Sequence, residues 1–103
     1  MNKKQLILLC MLAVGGSVQA QQWPDTPAEA RPGTRWWWLG SAVDEKNLTY
    51  NLEEYARAGM GAVEITPIYG VQGNDANDIQ FLSPRWMEVL KHTQAEGKRT
   101  GIE

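Results

Sequence analysis

The sequence is poor in cysteine, with Cys10 alone in 103 residues, and it has no cluster of basic residues. Ten lysines and arginines against twelve acidic residues give a net charge of −2, so the charge pattern does not favour nucleic acid as a partner. It also lacks a glycine-rich phosphate loop and the Ser-His-Asp grouping that nucleophilic hydrolases use. None of these functions is therefore predicted.

Residues 1–20 have the pattern of a secretory signal peptide: a charged start, an apolar run, and small residues at Val18 and Ala20. This segment is too short for a membrane span. We expect cleavage after Ala20 and export to the periplasm or the cell exterior. Loss of Cys10 and two lysines would leave eight basic against twelve acidic residues, a net charge of −4. No disulfide could then form, so folding would depend on hydrophobic burial, which is marginal at this size.

The region after the signal peptide begins with a leader, and three later segments have the composition of strands. Residues 21–33 contain three prolines and predict an extended leader. Residues 34–39 include three consecutive tryptophans and predict the first strand, and the β-branched residues 62–66 predict a second, closed by Pro67. The final residues, 100–103, predict the start of a third strand.

Two helices are predicted between these strands because apolar residues recur there at helical spacing. They are Leu48, Leu52, Tyr55 and Ala56 in the first helix, and Trp86, Val89 and Leu90, with Thr93, in the second. Ser41 and Asp44 resemble a capping box at the start of the first helix, and Gly59 is placed to end it. Ser83 is the predicted cap of the second helix, which Gly97 follows.

The order β-α-β-α-β predicts a parallel sheet with right-handed crossovers. Two helices can cover one face of such a sheet, whereas Glu64 alternates to the opposite face, away from Val63 and Ile65. A glutamate on that face suits the lumen of a barrel near its mouth. We therefore predict that residues 34–103 form the truncated beginning of a (β/α)8 TIM-type barrel.

Three side chains are candidates for contact with a substrate. Trp38 offers a flat surface for sugar stacking, and core packing, the alternative role, is favoured for any single tryptophan of this strand. Glu64 could act as an acid, a base, a metal ligand or a hydroxyl acceptor, or form a structural ion pair with Arg35. Tyr69 follows the second strand at the end that carries the catalytic face of these barrels. The polar side chains of residues 74–78 could also contact a polar substrate, although a solvated loop is the favoured interpretation.

Glu88, His92 and Glu96 are spaced by four on the second predicted helix, as metal ligands can be. A solvated helix side is the favoured interpretation, because this face lies opposite the apolar stripe.

The motifs "RWWWLG" (35–40), "NLEEYARAG" (51–59) and "AVEITPIYG" (62–70) together resemble the opening of glycoside hydrolase family 106, the exported bacterial α-L-rhamnosidases. The resemblance extends from about Arg31 to the last residues. It implies an amino-terminal catalytic barrel and calcium-dependent hydrolysis of terminal α-L-rhamnosides in plant polysaccharides, with inversion. The catalytic carboxylates of that family lie downstream of this region, so no catalytic role passes to Glu64 or Glu103, and the fragment alone is expected to be inactive.

The resemblance makes Trp38, Glu64 and Tyr69 part of the sugar-binding wall, and it does not identify the calcium ligands. A different class of function stays open at this point: a secreted carbohydrate-binding module that uses the tryptophan strand. Such a module would fold by itself and bind sugar, although sugar-binding modules are usually β-sandwiches.

Overall fold

The structure is a computed structural model that describes residues 1–14 and 20–103. In that part of the chain it has mixed α/β architecture, with three α-helices and a two-stranded parallel sheet. The helices are α1 (Lys3–Val14), α2 (Glu45–Arg57) and α3 (Pro84–Thr100), and the strands are β1 (Gly33–Leu39) and β2 (Ala62–Ile68). Single turns of 3-10 helix occur at Ala28–Ala30 and Asp75–Asn77.

Helix α1 coincides with the apolar run of the predicted signal peptide, and its first side chains are exposed. The end of that predicted segment, including Val18, lies outside the described residues. No described helix combines the length and the apolar character needed to cross a bilayer. Export and cleavage stay predictions.

The core lies between one face of the sheet and helices α2 and α3. Trp36 and Trp38 are 6% and 1% exposed, and their rings meet edge to face with centroids 5.8 Å apart. The helices add buried residues at helical spacing, and the chain end adds one more: Leu48, Leu52, Trp86, Val89, Thr93 and Ile102. Edge-to-face contacts between aromatic rings stabilise such a core beyond the area that they bury.

Both predicted helices are present, with different boundaries. Asp44, not Ser41, caps α2: its carboxylate accepts the backbone N–H of Asn47 at 3.0 Å. Gly59 follows the helix with a φ of +87°, as expected for a glycine after a helix end. Helix α3 continues through the predicted stop at Gly97 and ends before Gly101, which has a φ of +77°.

Gly97 is buried inside α3 because the chain returns against it. A Cβ at this position would lie 2.9 Å from the carbonyl oxygen of Ile102, and the Ile102 N–H donates to the Gly97 carbonyl at 2.9 Å. The glycine therefore permits close approach of the next segment rather than ending the helix.

Strand β2 also runs beyond its predicted end, since Pro67 lies inside it. Val63 donates to Glu103 on the side of β2 away from β1, and the alternation of a strand puts the nitrogen of Pro67 on that same side. The missing N–H of Pro67 therefore removes no bond to β1, and β2 continues to Ile68, whose carbonyl accepts the Gly40 N–H at 2.9 Å.

The predicted strand over residues 100–103 is not formed in full: Thr100 belongs to α3, and Glu103 alone pairs with the outer edge of β2. Glu103 donates to the Gly61 carbonyl at 2.9 Å and accepts from the Val63 N–H at 2.8 Å. One residue bonded to two partners that flank a third is the parallel pattern. The chain thus adds to the sheet in one direction, from β1 to β2 to residue 103.

The leader lies below the amino ends of the strands. The 3-10 turn at Ala28–Ala30 approaches Gly61 so closely that a Cβ there would overlap the Ala28 carbonyl oxygen. The Gly61 N–H also donates to Pro32 at 3.0 Å. Trp23, by contrast, is 93% exposed and anchors nothing in the described part of the chain.

Candidate functional site

The side chains with potential chemistry lie in two places, the uncovered face of the sheet and the carboxyl end of its strands. The in-register pairing of β1 and β2 decides which residues share a face. Arg35 pairs with Glu64, Trp37 with Thr66, and Leu39 with Ile68. We call these six residues the open face. No described helix packs on it.

Arg35 and Glu64 form an ion pair on the open face, with 3.4 Å between Nε and Oε2. The guanidinium of Arg35 also lies 5.9 Å from the ring centre of Trp37, as in a cation–π contact. The side chains of Arg35 and Glu64 remain 57% and 68% exposed. They line a groove of about 580 Å³ with Trp37. Glu64 is therefore exposed to solvent, and it forms the structural ion pair with Arg35 that was one of the roles considered from the sequence.

Trp38 does not share this face. Its ring is 1% exposed and contacts Trp86 edge to face, with centroids 6.1 Å apart. Core packing, the alternative role, is the one that the structure places here, so contact with a ligand would require the core to open. Trp37, at 53% exposure, is the tryptophan beside Glu64.

The second place is a cleft of about 630 Å³ where both strands end, here called the strand-end cleft. Its walls are the two strand ends and the loop that follows β2: Gly40, Ser41, Pro67, Ile68, Tyr69, Gly70, Asp78, Ile79, Gln80 and Phe81. Tyr69, predicted from its position after β2, is 84% exposed on this wall. The carboxyl ends of parallel strands are where α/β proteins bind their ligands.

The turn after β1 is held in an unusual conformation at this cleft. Ser41 has a φ of +49°, a value that residues other than glycine rarely adopt, and it is buried. Its hydroxyl accepts the indole N–H of Trp86 at 3.0 Å, and its own N–H donates to the Trp38 carbonyl at 3.1 Å. Such strain persists only where the surrounding bonds enforce it, and it concentrates at functional sites.

Asp78 enters the cleft from the polar loop that was expected to be solvated. Its carboxylate lies against Gly40 and Gly70 at the two strand ends. Nothing in the sequence spacing brings Asp78 to Gly40, because 37 intervening residues must fold first; no local signal could have found this contact.

The three residues spaced by four on α3 are engaged by other side chains and face α2. Glu88 and Glu96 bond to Arg85 and Arg99 within α3, and His92 lies 2.8 Å from the Thr49 hydroxyl of α2. Among residues 1–10 and 20–103, whose side chains are described, no three His, Cys, Asp or Glu residues gather as a metal site would require.

The clearest pKa shifts occur between the helices, away from both candidate places. The hydrogen bonds from Arg85 lower the pKa of Glu45 to about 2. Arg99 likewise lowers the pKa of Glu96. These shifts accompany ion pairs that join α2 to α3, so they indicate structural rather than catalytic carboxylates.

Comparison with known proteins finds a distant similarity to a protein that is named as a glycosidase. A protein of Formosa agariphila named "Putative beta-glucuronidase" is 27% identical over 78 residues, which make up 75% of this chain and 6% of that protein. The chain thus spans a small fraction of the length of its relative. No protein-family model matches the chain. No solved structure matches it either. The similarity supports a glycoside hydrolase-like origin for the chain, without assigning it to a family or a substrate.

Proposed function

We propose that the chain is the amino-terminal part of a glycoside hydrolase whose catalytic domain is a (β/α)8 barrel, residues 34–103 being its opening portion. The observation that carries this proposal is the direction in which the sheet grows. Helices α2 and α3 pack on the same face and against each other, while residue 103 extends the sheet beyond β2. One βαβαβ half of a doubly wound sheet also keeps its two helices on one face, so the choice of the barrel, which keeps all of its helices outside, rests on the family resemblance.

The open face would then line the barrel interior. Arg35, Trp37 and Glu64 would lie below the mouth, and Tyr69 would lie at its rim. Exposed aromatic rings and paired charges suit a sugar, which presents apolar ring faces and many hydroxyls.

For the reaction we propose inverting hydrolysis of terminal α-L-rhamnosides in plant polysaccharides, on the strength of the family resemblance. Inversion requires one carboxylic acid to protonate the leaving oxygen and one carboxylate to activate water. The family resemblance implies that the catalytic pair lies downstream of this region, so neither Glu64, which is paired with Arg35, nor Glu103 is assigned a catalytic role. This chain would contribute substrate binding and no catalytic residue.

Calcium dependence rests on the resemblance alone. In the loop after β2, Asn77 donates to Asn74 at 2.7 Å. Among residues 1–10 and 20–103, no three His, Cys, Asp or Glu residues gather as metal ligands, so no calcium ligand is assigned to this chain. Export by the signal peptide, to the periplasm or beyond, belongs to the same proposal.

The test is a panel of aryl glycosides incubated with the complete gene product that contains this chain. We expect hydrolysis of the α-L-rhamnoside, with the β-anomer of rhamnose seen first by NMR because the reaction inverts. Hydrolysis of the β-D-glucuronide alone would instead support the activity in the name of the Formosa agariphila relative. Hydrolysis of no glycoside in the panel, at any calcium concentration, would overturn the glycosidase proposal.

A second candidate function is a self-contained sugar-binding module. The observation that favours it is the exposed ring of Trp37, which could stack on a sugar. It requires residues 21–103 to unfold cooperatively by themselves and to show sugar-dependent quenching of tryptophan fluorescence. Failure in either measurement removes this candidate and leaves the barrel proposal intact.

A further inference from the structure

We propose that the carboxylate of Asp78 is a substrate-binding group of the strand-end cleft, where it accepts hydrogen bonds from hydroxyl groups of the bound sugar. This inference rests on the proposed glycosidase function and adds a residue that the resemblance does not provide.

The carboxylate of Asp78 fits closely against the glycines that follow the two strands. A Cβ on Gly70 would lie 2.5 Å from Oδ2 of Asp78, and a Cβ on Gly40 would overlap Oδ1. Heavy atoms cannot approach so closely, so the carboxylate occupies a notch that is open only because a glycine follows each strand. Gly40 also needs its φ of +63°, whereas Gly70 has no such conformational demand.

The backbone around Asp78 is fixed. The Ile79 N–H donates to the Gly40 carbonyl at 3.0 Å, and Ile79 packs against the hydrophobic core. The Asp78 N–H donates to Asp75 at 3.1 Å. The side chain is thus held over the strand ends while it remains exposed to the cleft. A binding group that is already positioned loses little conformational entropy when its ligand arrives.

The carboxylate oxygens of Asp78 are free to accept further hydrogen bonds. An ionised aspartate offers two acceptor oxygens, and none of the described protein groups donates to them. Tyr69 and Phe81, 84% and 58% exposed, flank the same cleft. Phe81 is itself braced edge to face against Trp86 at 4.9 Å. Hydroxyl acceptors beside aromatic faces are complementary to a sugar ring.

Kinetics of the complete gene product on its best aryl glycoside test the assignment. We expect Asp78→Ala to lower kcat/KM by about tenfold to a hundredfold, mostly through KM, because hydrogen bonds to a charged group are among the strongest. The melting temperature should change little, since the side chain is exposed. Asp75→Asn, in the same loop, is the matched control and should leave both quantities unchanged.

A second variant separates the role of the carboxylate from that of the loop. Gly70→Ala places a methyl group in the notch without backbone strain, so it should displace the Asp78 carboxylate and reproduce much of the loss. In the Asp78→Ala background the same methyl group has nothing to displace, so the two losses should not add. Additive losses would mean that the methyl group obstructs the cleft directly.

Each outcome decides a different point. A wild-type gene product that cleaves no glycoside overturns the proposed function, irrespective of Asp78. An active wild-type with an unchanged Asp78→Ala variant overturns this inference alone. A variant with a lowered melting temperature and unchanged KM would show that Asp78 only holds the loop, which also contradicts the inference.

Discussion

The two faces of the sheet are built from the same two strands, yet they differ in what their side chains can do. On the covered face Trp36 and Trp38 are almost fully buried by α2 and α3. On the open face Trp37 keeps half of its surface exposed beside the Arg35–Glu64 pair. Adjacent residues of one strand thus divide between packing and a surface suited to ligand contact, because successive side chains alternate.

Residue type is therefore a poor guide to role in this strand. All three tryptophans offer the same ring, and only the layer that each one faces separates core from surface. Variants at neighbouring positions can therefore test the comparison within a single chemical class.

The largest expected effect is on the covered face. Trp38→Ala removes a ring that contacts Trp36 and Trp86, and we expect it to lower the free energy of unfolding by about 3–5 kcal/mol, as large-to-small core changes do. If Trp37 stays open to a sugar-filled lumen in the complete protein, Trp37→Ala should cost less than about 1 kcal/mol, because changes away from packed contacts cost little. Denaturant unfolding of the complete gene product, followed for the domain that holds this chain, measures both.

Activity measurements on the same two variants test the difference between the two faces further. If the open face lines a sugar-filled lumen, Trp37→Ala should raise KM for the glycoside while the domain stays folded. A stability loss for Trp37→Ala as large as that for Trp38→Ala would mean that both faces are packed in the complete protein. The comparison would then fail.

A smaller effect is expected where the covered face meets the strand-end cleft. Ser41→Ala leaves the indole N–H of Trp86 buried without its acceptor, which should cost about 1–3 kcal/mol in free energy of unfolding. In a Trp86→Phe background there is no N–H to satisfy, so Ser41→Ala should then cost much less. An equal cost in both backgrounds would locate the effect in the turn itself, where Ser41 has its positive φ.

The sequence was sufficient for the elements that local patterns determine. Leu48 and Leu52 on α2, and Trp86 with Val89 on α3, were expected on one face by their spacing and are buried there. The predicted third strand over residues 100–103 was correct only for the bonds of residue 103 to β2, because α3 continues to Thr100.

Features that depend on distant contacts were not predictable in this way. Gly97 has the appearance of a helix stop, and only the return of Ile102 shows why a glycine is needed inside α3. Alternation separated Trp37 from Trp38 but did not say which of them faces the helices. If Arg35 pairs with Glu64 on the face away from the helices, Trp37 must also lie on that face, because Arg35 and Trp37 point the same way from one strand.

The smallest expected effect is electrostatic and lies on the outer side of the covered face, where Arg85 binds Glu45 with 2.8 Å between Nη2 and Oε2. This contact lowers the pKa of Glu45 from 4.5 to about 2, so its contribution to stability is complete above pH 4.5 and is lost as the pH falls towards 2. Glu45→Gln should therefore lower the melting temperature slightly at neutral pH and not at all near pH 2. The pair is part-exposed, so high salt should shrink the neutral-pH difference. Melting temperatures of the wild-type and Glu45→Gln proteins from pH 2 to 7 measure this convergence, with Glu29→Gln, on the exposed leader, as the control. Curves that stay parallel over that whole range would show that Glu45 does not join α2 to α3 through its charge.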